Sequence, residues 1–295
     1  MRFNFLRQLD QNSTLDYTIA FSGNPIDDRG RFTTDTLDKK ISKNHHISYD
    51  AENFIIKINN EPIKANNSNY FYEKFEGESA LLDATTLDVP ELILLTKFLF
   101  STCQRIGYIY AEPESYKLKT IDNGELHNFT LSETYSPFMP IPGFTPELTT
   151  QKQGNLLVFL GFEPSRLSRA LSPDEVAHIK TSSVVFGIPP FHASWEMHSL
   201  MQNAETLKEA QVKEVHFAGA NDPLTTLNLI KQFAQSFDLS NERLILAPLG
   251  TKPAAIGVSL FSAIHDNVRI MYDFPKKLPD RTQGIGKIHH FEVCL

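Results

Sequence analysis

The chain has 295 residues, 41% hydrophobic and 21% charged, which are ordinary globular values that exclude a disordered or fibrous class. Its 28 Lys and Arg against 35 Asp and Glu give a net charge of −7, with 14 basic and 21 acidic groups in residues 1–150 and 14 of each in residues 151–295. The acidic excess of the first half leaves no broad basic face, so generic duplex nucleic-acid binding through many phosphate contacts is not expected.

A chain of this length buries a large core without staples. Two cysteines, Cys103 in a helical run and Cys294 near the carboxyl end, give neither metal spacing nor a disulfide framework. No metal or cofactor is expected, and a reducing cytoplasm fits. The amino-terminal MRFNFLRQLDQ breaks its apolar residues with charges, and no stretch approaches the roughly 18 apolar residues of a membrane span. The expectation is a soluble cytoplasmic protein with no membrane partner.

Residues 16–22 (DYTIAFS) predict a strand, and the polar turn 23–30 (GNPIDDRG) then leads into a helix, a βα unit. In that turn Asp27 and Asp28 lack the third carboxylate or His that a divalent ion needs, so a solvated turn is expected. Residues 49–63 show two apolar runs around Asn59 and Asn60, a β-hairpin signal that reads as an insertion. Leu92, Leu95 and Leu99 at helical spacing then place a helix inside residues 80–113. Residues 114–153 turn to Pro, Thr, Ser and Phe, including PFMPIPGFTPE at 137–147. This segment is too apolar for a free linker and predicts a connection packed across a surface.

The remainder alternates strands at 156–162, 183–188, 215–218, 243–247, 268–272 and 288–293 with helical stretches. Such alternation implies a mostly parallel sheet covered on both faces. The predicted organisation is an amino-terminal lobe (1–113) with a hairpin insertion, a Pro-rich connection (114–153) and a carboxyl-terminal lobe (154–295). Its fold class is α/β, with two Rossmann-like lobes of mostly parallel sheets.

The two lobes share a segment. ALLDATTLDVPELILLTKFLFSTCQRIGYIYAEP at 80–113 and LILAPLGTKPAAIGVSLFSAIHDNVRIMYDFP at 244–275 each read as strand, turn with Thr and Pro, helix, strand. In open α/β sheets ligands bind outside the carboxyl ends of the strands, where these turns fall.

The turn LGTKP at 249–253 combines Gly250 for close backbone approach, the Thr251 hydroxyl, the Lys252 charge and a helix amino terminus, all suited to phosphate. It lacks the P-loop spacing, so nucleoside triphosphate hydrolysis is not indicated. Further strand ends carry Gly161 with Ser165 and Arg166 (GFEPSR), Gly187 with His192 (GIPPFH), and Gly219 with Asn221 and Asp222 (GANDP). The four glycines predict one concave pocket, with Arg166, Asn221 and Thr251 pointing in and Trp195 or His192 over it as a lid that stacks a base; four independent tight turns, and a plain surface helix start at Trp195, are the alternatives. For Asp222, helix capping competes with a ribose contact, and capping is the favoured reading. His192, Trp195, Glu196 and His198 do not have metalloprotease spacing. His289 and His290 sit in an alternating strand, and a structural role is favoured. No nucleophile elbow appears, and neither cysteine lies in a turn beside a base.

The string at 244–275 resembles the strand, GTK-type turn, helix, strand element of CARF domains, the Rossmann-like sensors of cyclic oligonucleotides in antiviral defence. LLDATTLDVPELILL is similar to a D-x-T variant of the same turn, which makes the two halves resemble a tandem arrangement. GFEPSR departs from that pattern by placing Glu163 and Pro164 ahead of Ser165. The resemblance implies a ligand-sensing or regulatory protein that binds a nucleotide-like phosphate ligand in a defence system, with a protein partner or a second copy of the chain. Two alternatives stay open at this point. One is an enzyme on a nucleotide or sugar phosphate using Asp222, Glu163 or Glu196 as acid or base, and the other is a scaffold subunit of a defence or DNA-processing assembly.

Overall fold

The computed structural model describes the backbone of residues 2–8 and, in full, residues 15–117, 129, 131–146 and 153–295. The chain is mixed α/β and divides into two compact units, Met1–Tyr116 with Pro279–Leu295, and Lys117–Leu278.

The first unit contains β1 (Arg2–Gln8), β2 (Ile19–Ser22), α1 (Asp28–Lys40), β3 (Asn44–Asp50), β4 (Ile55–Ile58), β5 (Glu61–Lys64), α2 (Ser68–Phe75), β6 (Ser79–Asp83), α3 (Val89–Phe100), β7 (Arg105–Ala111) and β8 (Ser115–Tyr116). From the far end of the chain come β16 (Thr282–Gln283) and β17 (Ile288–Cys294). Its sheet runs β1-β17-β7-β6-β2-β3-β4-β5, with a parallel block β7-β6-β2-β3 and antiparallel pairs on both flanks. All four residues of β2 are buried, as expected for a strand covered on both faces. The β4–β5 hairpin turns on Asn59 (φ 51°) and Asn60 (φ 68°), the left-handed pair that a type I′ turn requires and Asn tolerates. Glu91 in the first turn of α3 accepts the Asp88 N–H at 2.7 Å, and Pro90 fits the same turn because its missing donor is not needed there. Phe21, Phe71, Phe75 and Tyr108 are fully buried, Phe71 stacking on Phe98 at 4.3 Å and Tyr108 bonding Thr96 at 3.0 Å.

The second unit contains β9 (Ser132–Tyr135), β10 (Gly154–Phe159), α4 (Pro164–Ala170), α5 (Pro173–Val176), β11 (Ile179–Gly187), α6 (Trp195–Glu209), β12 (Val212–Ala218), α7 (Pro223–Ala234), β13 (Arg243–Pro248), α8 (Lys252–Ile264), β14 (Val268–Ile270) and β15 (Pro275–Lys277). Its sheet, β12-β11-β10-β13-β14, is parallel throughout, with a wholly buried β10 at its centre.

Two expectations need correction. The strand predicted at 288–293 does not belong with the second half: β17 pairs antiparallel with β7, from Ile288 opposite Ala111 to Cys294 opposite Arg105. Buried β7, flanked otherwise only by β6, takes it because an unpaired apolar edge is a liability. The connection is also no separate linker where it is described. β9 pairs with β15, Ile141 and Phe144 are fully buried, and the Phe144 carbonyl accepts the Ile270 N–H at 3.2 Å, so this stretch folds into the second unit. The parts of that reading at 118–128, 130 and 147–152, and residues 1 and 9–11 of the amino-terminal one, lie outside the described residues. The repeated segments are both strand, helix and parallel strand, β6-α3-β7 and β13-α8-β14. Among the described residues no helix is long and apolar enough to cross a membrane.

Candidate functional site at the carboxyl edge of the second sheet

Because β10, β11, β12 and β13 are parallel, the turns holding Gly161, Gly187, Gly219 and Gly250 all lie at one edge of the sheet. Gly187 and Gly219 line one cavity, and Gly161 and Gly250 are not among its lining residues. A Cβ on Gly250 would meet the Leu160 carbonyl oxygen at 2.6 Å and one on Gly161 would meet the Leu249 carbonyl oxygen at 2.9 Å. These two glycines let the turns after β10 and β13 press against each other, which closes the crevice at the point where strand order reverses. One strand further on, Gly187, Gly219 and Thr251 line a cavity with Phe186, Ala220 and Ala254. Its free volume is about 10 Å³, the space of one water.

The side chains expected to point into a pocket are mostly occupied elsewhere. Arg166 is buried; its Nη2 donates to Asp273 Oδ1 at 2.6 Å, its Nε to Asp273 at 3.0 Å and its Nη1 to the Leu249 carbonyl at 2.9 Å. Burial works against the charged guanidinium, but the hydrogen bonds and charge of Asp273 outweigh it and hold Arg166 firmly protonated. A guanidinium with these partners braces the α4 turn, and neither Arg166 nor Asn221 lines the cavity. Asp222 caps α7, accepting the N–H groups of Leu224 at 2.8 Å and Thr225 at 3.4 Å. Thr251 caps α8 through the Ala254 N–H and donates to the Ala220 carbonyl at 2.7 Å. Lys252 is the first residue of that helix, between cavity-lining Thr251 and Ala254. Ser165 is exposed and donates to the Tyr135 hydroxyl at 3.2 Å.

Trp195 does not cover the cavity. Its ring packs with His192 at 4.5 Å, Phe162 at 5.9 Å and Phe129 at 6.3 Å, an aromatic cluster at the start of α6. Glu163 accepts the Leu131 N–H at 3.1 Å and the hydroxyls of Tyr135 at 3.0 Å and Ser132 at 3.2 Å, which ties β9 to the turn after β10. Among the described residues, no group of three or more His, Cys, Asp or Glu is placed to hold a metal.

Sequence reasoning missed Asp273 and the small residues Ala220 and Ala254. Their signals were present: YDF just past a strand end places a carboxylate at the sheet edge, and Ala beside each helix start leaves the floor of the cavity open. It also took Asp27 for a solvated residue. Asp27 is buried, caps α1 through the Gly30 N–H at 3.0 Å and accepts Arg29 Nη2 at 2.6 Å. Burial alone would raise its carboxyl, but the Arg29 charge and the Thr282 and Gly30 bonds together hold it below the ordinary range. Asp28 is exposed and pairs with Arg31 at 2.8 Å. His289 and His290 are structural in their contacts, to Glu112 at 2.5 Å and to the Tyr17 hydroxyl at 2.7 Å. No protein-family model matches the chain, and no curated protein matches its sequence significantly.

Proposed function

We propose that the protein is a ligand-sensing module built from two Rossmann-like units, whose second unit takes a small phosphate-bearing, nucleotide-like ligand on the rim of its parallel sheet. The observation that supports this is the grouping of Gly219, Thr251 and Ala254 about one cavity at the carboxyl edge, with Lys252 adjacent in sequence as the first residue of α8. Pro253 brings no N–H and the Ala254 N–H is taken by the Thr251 cap, so the amino end of α8 would attract an anion through its partial positive charge, to which the lysine adds. The cavity admits only a water-sized group, so the ligand body lies outside the sheet edge and the phosphate alone approaches the turns. With Asp222 and Glu163 engaged as cap and brace, sensing is preferred over turnover. The scaffold reading is favoured by the closed Gly161–Gly250 contact, and the experiment separates the two.

Titration calorimetry of the full chain with linear and cyclic oligoadenylates and with mononucleotides is expected to give binding that Lys252→Ala weakens about 10- to 100-fold, the loss of a charged hydrogen bond worth roughly 1.5–3 kcal/mol. Folding should be unchanged. No binding by any member of the panel leaves the scaffold reading in place, and turnover of a bound nucleotide moves the assignment to an enzyme.

A further inference from the structure

Outer strand β12 of the second sheet is unlike the edge strands β5 and β14. β5 ends the first sheet with Glu61, Pro62 and Lys64 over four residues, and β14 is three residues long with Arg269 at its centre. Both carry the short length, charge or proline by which natural proteins blunt an edge. β12 is seven residues long and exposes Val215 to 50% and Phe217 to 59%. α6, which leads into it, exposes Met197, Leu200 and Met201 at i, i+3 and i+4, one stripe of its outer face. Of the ten large hydrophobic side chains found exposed among the described residues, these five and Ile188, just past β11, all lie within residues 188–217. Scattered exposed apolar residues are normal, but their concentration in one stretch of the chain that includes an open edge strand marks it for contact.

We infer that β12 is a homodimer seam, pairing antiparallel with β12 of a second copy across a two-fold axis at Val215. The backbone supports that register. The Ala218 carbonyl turns inward to accept the Ile188 N–H at 2.8 Å, and the alternation of a strand then sends the N–H and C=O of Val215 and Phe217 outward. An isologous pair centred on residue 215 sets Val215 against itself and exchanges both of its hydrogen bonds. In the same register Glu214 falls opposite His216 of the other copy, and His216 opposite Glu214, an acid-to-imidazole match made twice. Within one chain the two already share a face, His216 Nε2 lying 3.2 Å from Glu214 Oε2. On the opposite face Phe217 meets the stem of Lys213, which covers its ring. A different protein would need the complementary pattern by chance, whereas a second copy carries it by symmetry.

The test is the mass of the full chain in solution, by sedimentation equilibrium over about 1–100 µM, a range in which mass action reveals a weak dimer. The wild type is expected to dimerise, and Phe217→Lys to be monomeric with unchanged circular dichroism and melting behaviour as a monomer. Glu214→Arg should weaken the dimer at least tenfold, and adding His216→Glu should restore it, since the swap preserves the cross-strand match. A wild-type monomer throughout the range overturns the inference. So does a dimer indifferent to Phe217→Lys and Glu214→Arg, which places the interface elsewhere.

Discussion

In the first unit the turn after β2 meets the turn after β6 through a polar chain: the Gly23 N–H donates to Thr86 Oγ1 at 2.9 Å, and Thr86 donates to Asp83 Oδ2 at 2.8 Å. Asp83 also accepts the Thr33 hydroxyl at 2.7 Å and the Thr85 N–H at 3.0 Å, and is fully buried. The corresponding turns of the second unit, after β10 and β13, meet through the close approach of Gly161 and Gly250 to the Leu249 and Leu160 carbonyls and through the Arg166 Nη1 bond to the Leu249 carbonyl. Each unit also buries an arginine from the first turn of the helix after its first parallel strand. Arg29 donates to the Ala111 carbonyl at 3.1 Å and Arg166 to the Leu249 carbonyl at 2.9 Å. The acid that balances it differs. Asp27 is two residues from Arg29, whereas Asp273 lies 107 residues from Arg166. The first crevice is filled by side chains that satisfy one another, whereas in the second unit the ends of β11 and β12 shape a small cavity, which is why ligand binding is proposed for the second unit.

The largest effect expected from this contrast is at the long-range pair. Arg166→Ala leaves Asp273, with no exposed surface, only the more distant Arg169 at 3.8 Å, a loss of about 3 kcal/mol. Arg29→Ala should lose about 1.5–3 kcal/mol, because Asp27 keeps the Thr282 hydroxyl at 2.6 Å and the Gly30 N–H at 3.0 Å. Urea unfolding of both variants decides it. Equal losses would break the contrast, and recovery in the double variant Arg166→Met with Asp273→Leu would show that the second pair confers no net stability over apolar packing.

A smaller effect tests the polar seal. Asp83→Ala removes the side-chain acceptor of the Thr86 hydroxyl and of the Thr85 N–H, while Thr33 keeps the Arg29 and Gly30 carbonyls, a loss of about 2 kcal/mol, whereas Asp83→Asn keeps an acceptor for Thr85 and two donors for the threonines. Burial raises the Asp83 carboxyl above its ordinary value, its three hydrogen bonds only partly opposing. A folded pKa above the unfolded one means a contribution present below the unfolded value of about 3.9 and lost as pH rises through the folded value. Asp83→Asn should therefore melt at or above the wild-type temperature at pH 7 and below it near pH 3. A variant less stable than wild type at both pH values would show that the ionised carboxylate is the stabilising form.

How far the sequence reveals these features depends on the range of the interactions. The Asn59-Asn60 hairpin, the Asp222 and Thr251 caps and the two strand-helix-strand repeats are local patterns, and composition and spacing expose them. The destination of β17 is not local, since residues 288–294 read equally well beside any apolar strand and only the sheet shows that β7 was open. Arg166 misleads for the same reason. A basic residue in a turn at a sheet edge suggests a phosphate until a carboxylate 107 residues away is found against it. The glycines were legible as close approaches, but not that the approach at Gly161 and Gly250 is to another turn of the same sheet.

The smallest expected effect concerns acid sensitivity of the first unit. His290 on β17 is buried and its Nε2 lies 2.7 Å from the Tyr17 hydroxyl, which donates to Glu292 Oε2 at 2.9 Å. Since the hydroxyl proton goes to Glu292, the neutral imidazole serves as donor to the Tyr17 oxygen, and protonation would add a second N–H inside the core. Burial lowers the His290 pKa; the Glu292 charge opposes the shift and that of Arg105, 3.4 Å from Glu292, reinforces it. The unfolded chain therefore takes up a proton near pH 6.5 while the folded one does not, so stability is level above that value and falls as pH drops below it. Melting temperatures between pH 7.5 and 5 should show this decline in the wild type and a shallower one in His290→Gln, which retains a donor for Tyr17 without titrating. If the two curves run parallel, the proton responsible for any decline binds elsewhere, and the acid response does not distinguish the first unit from the second.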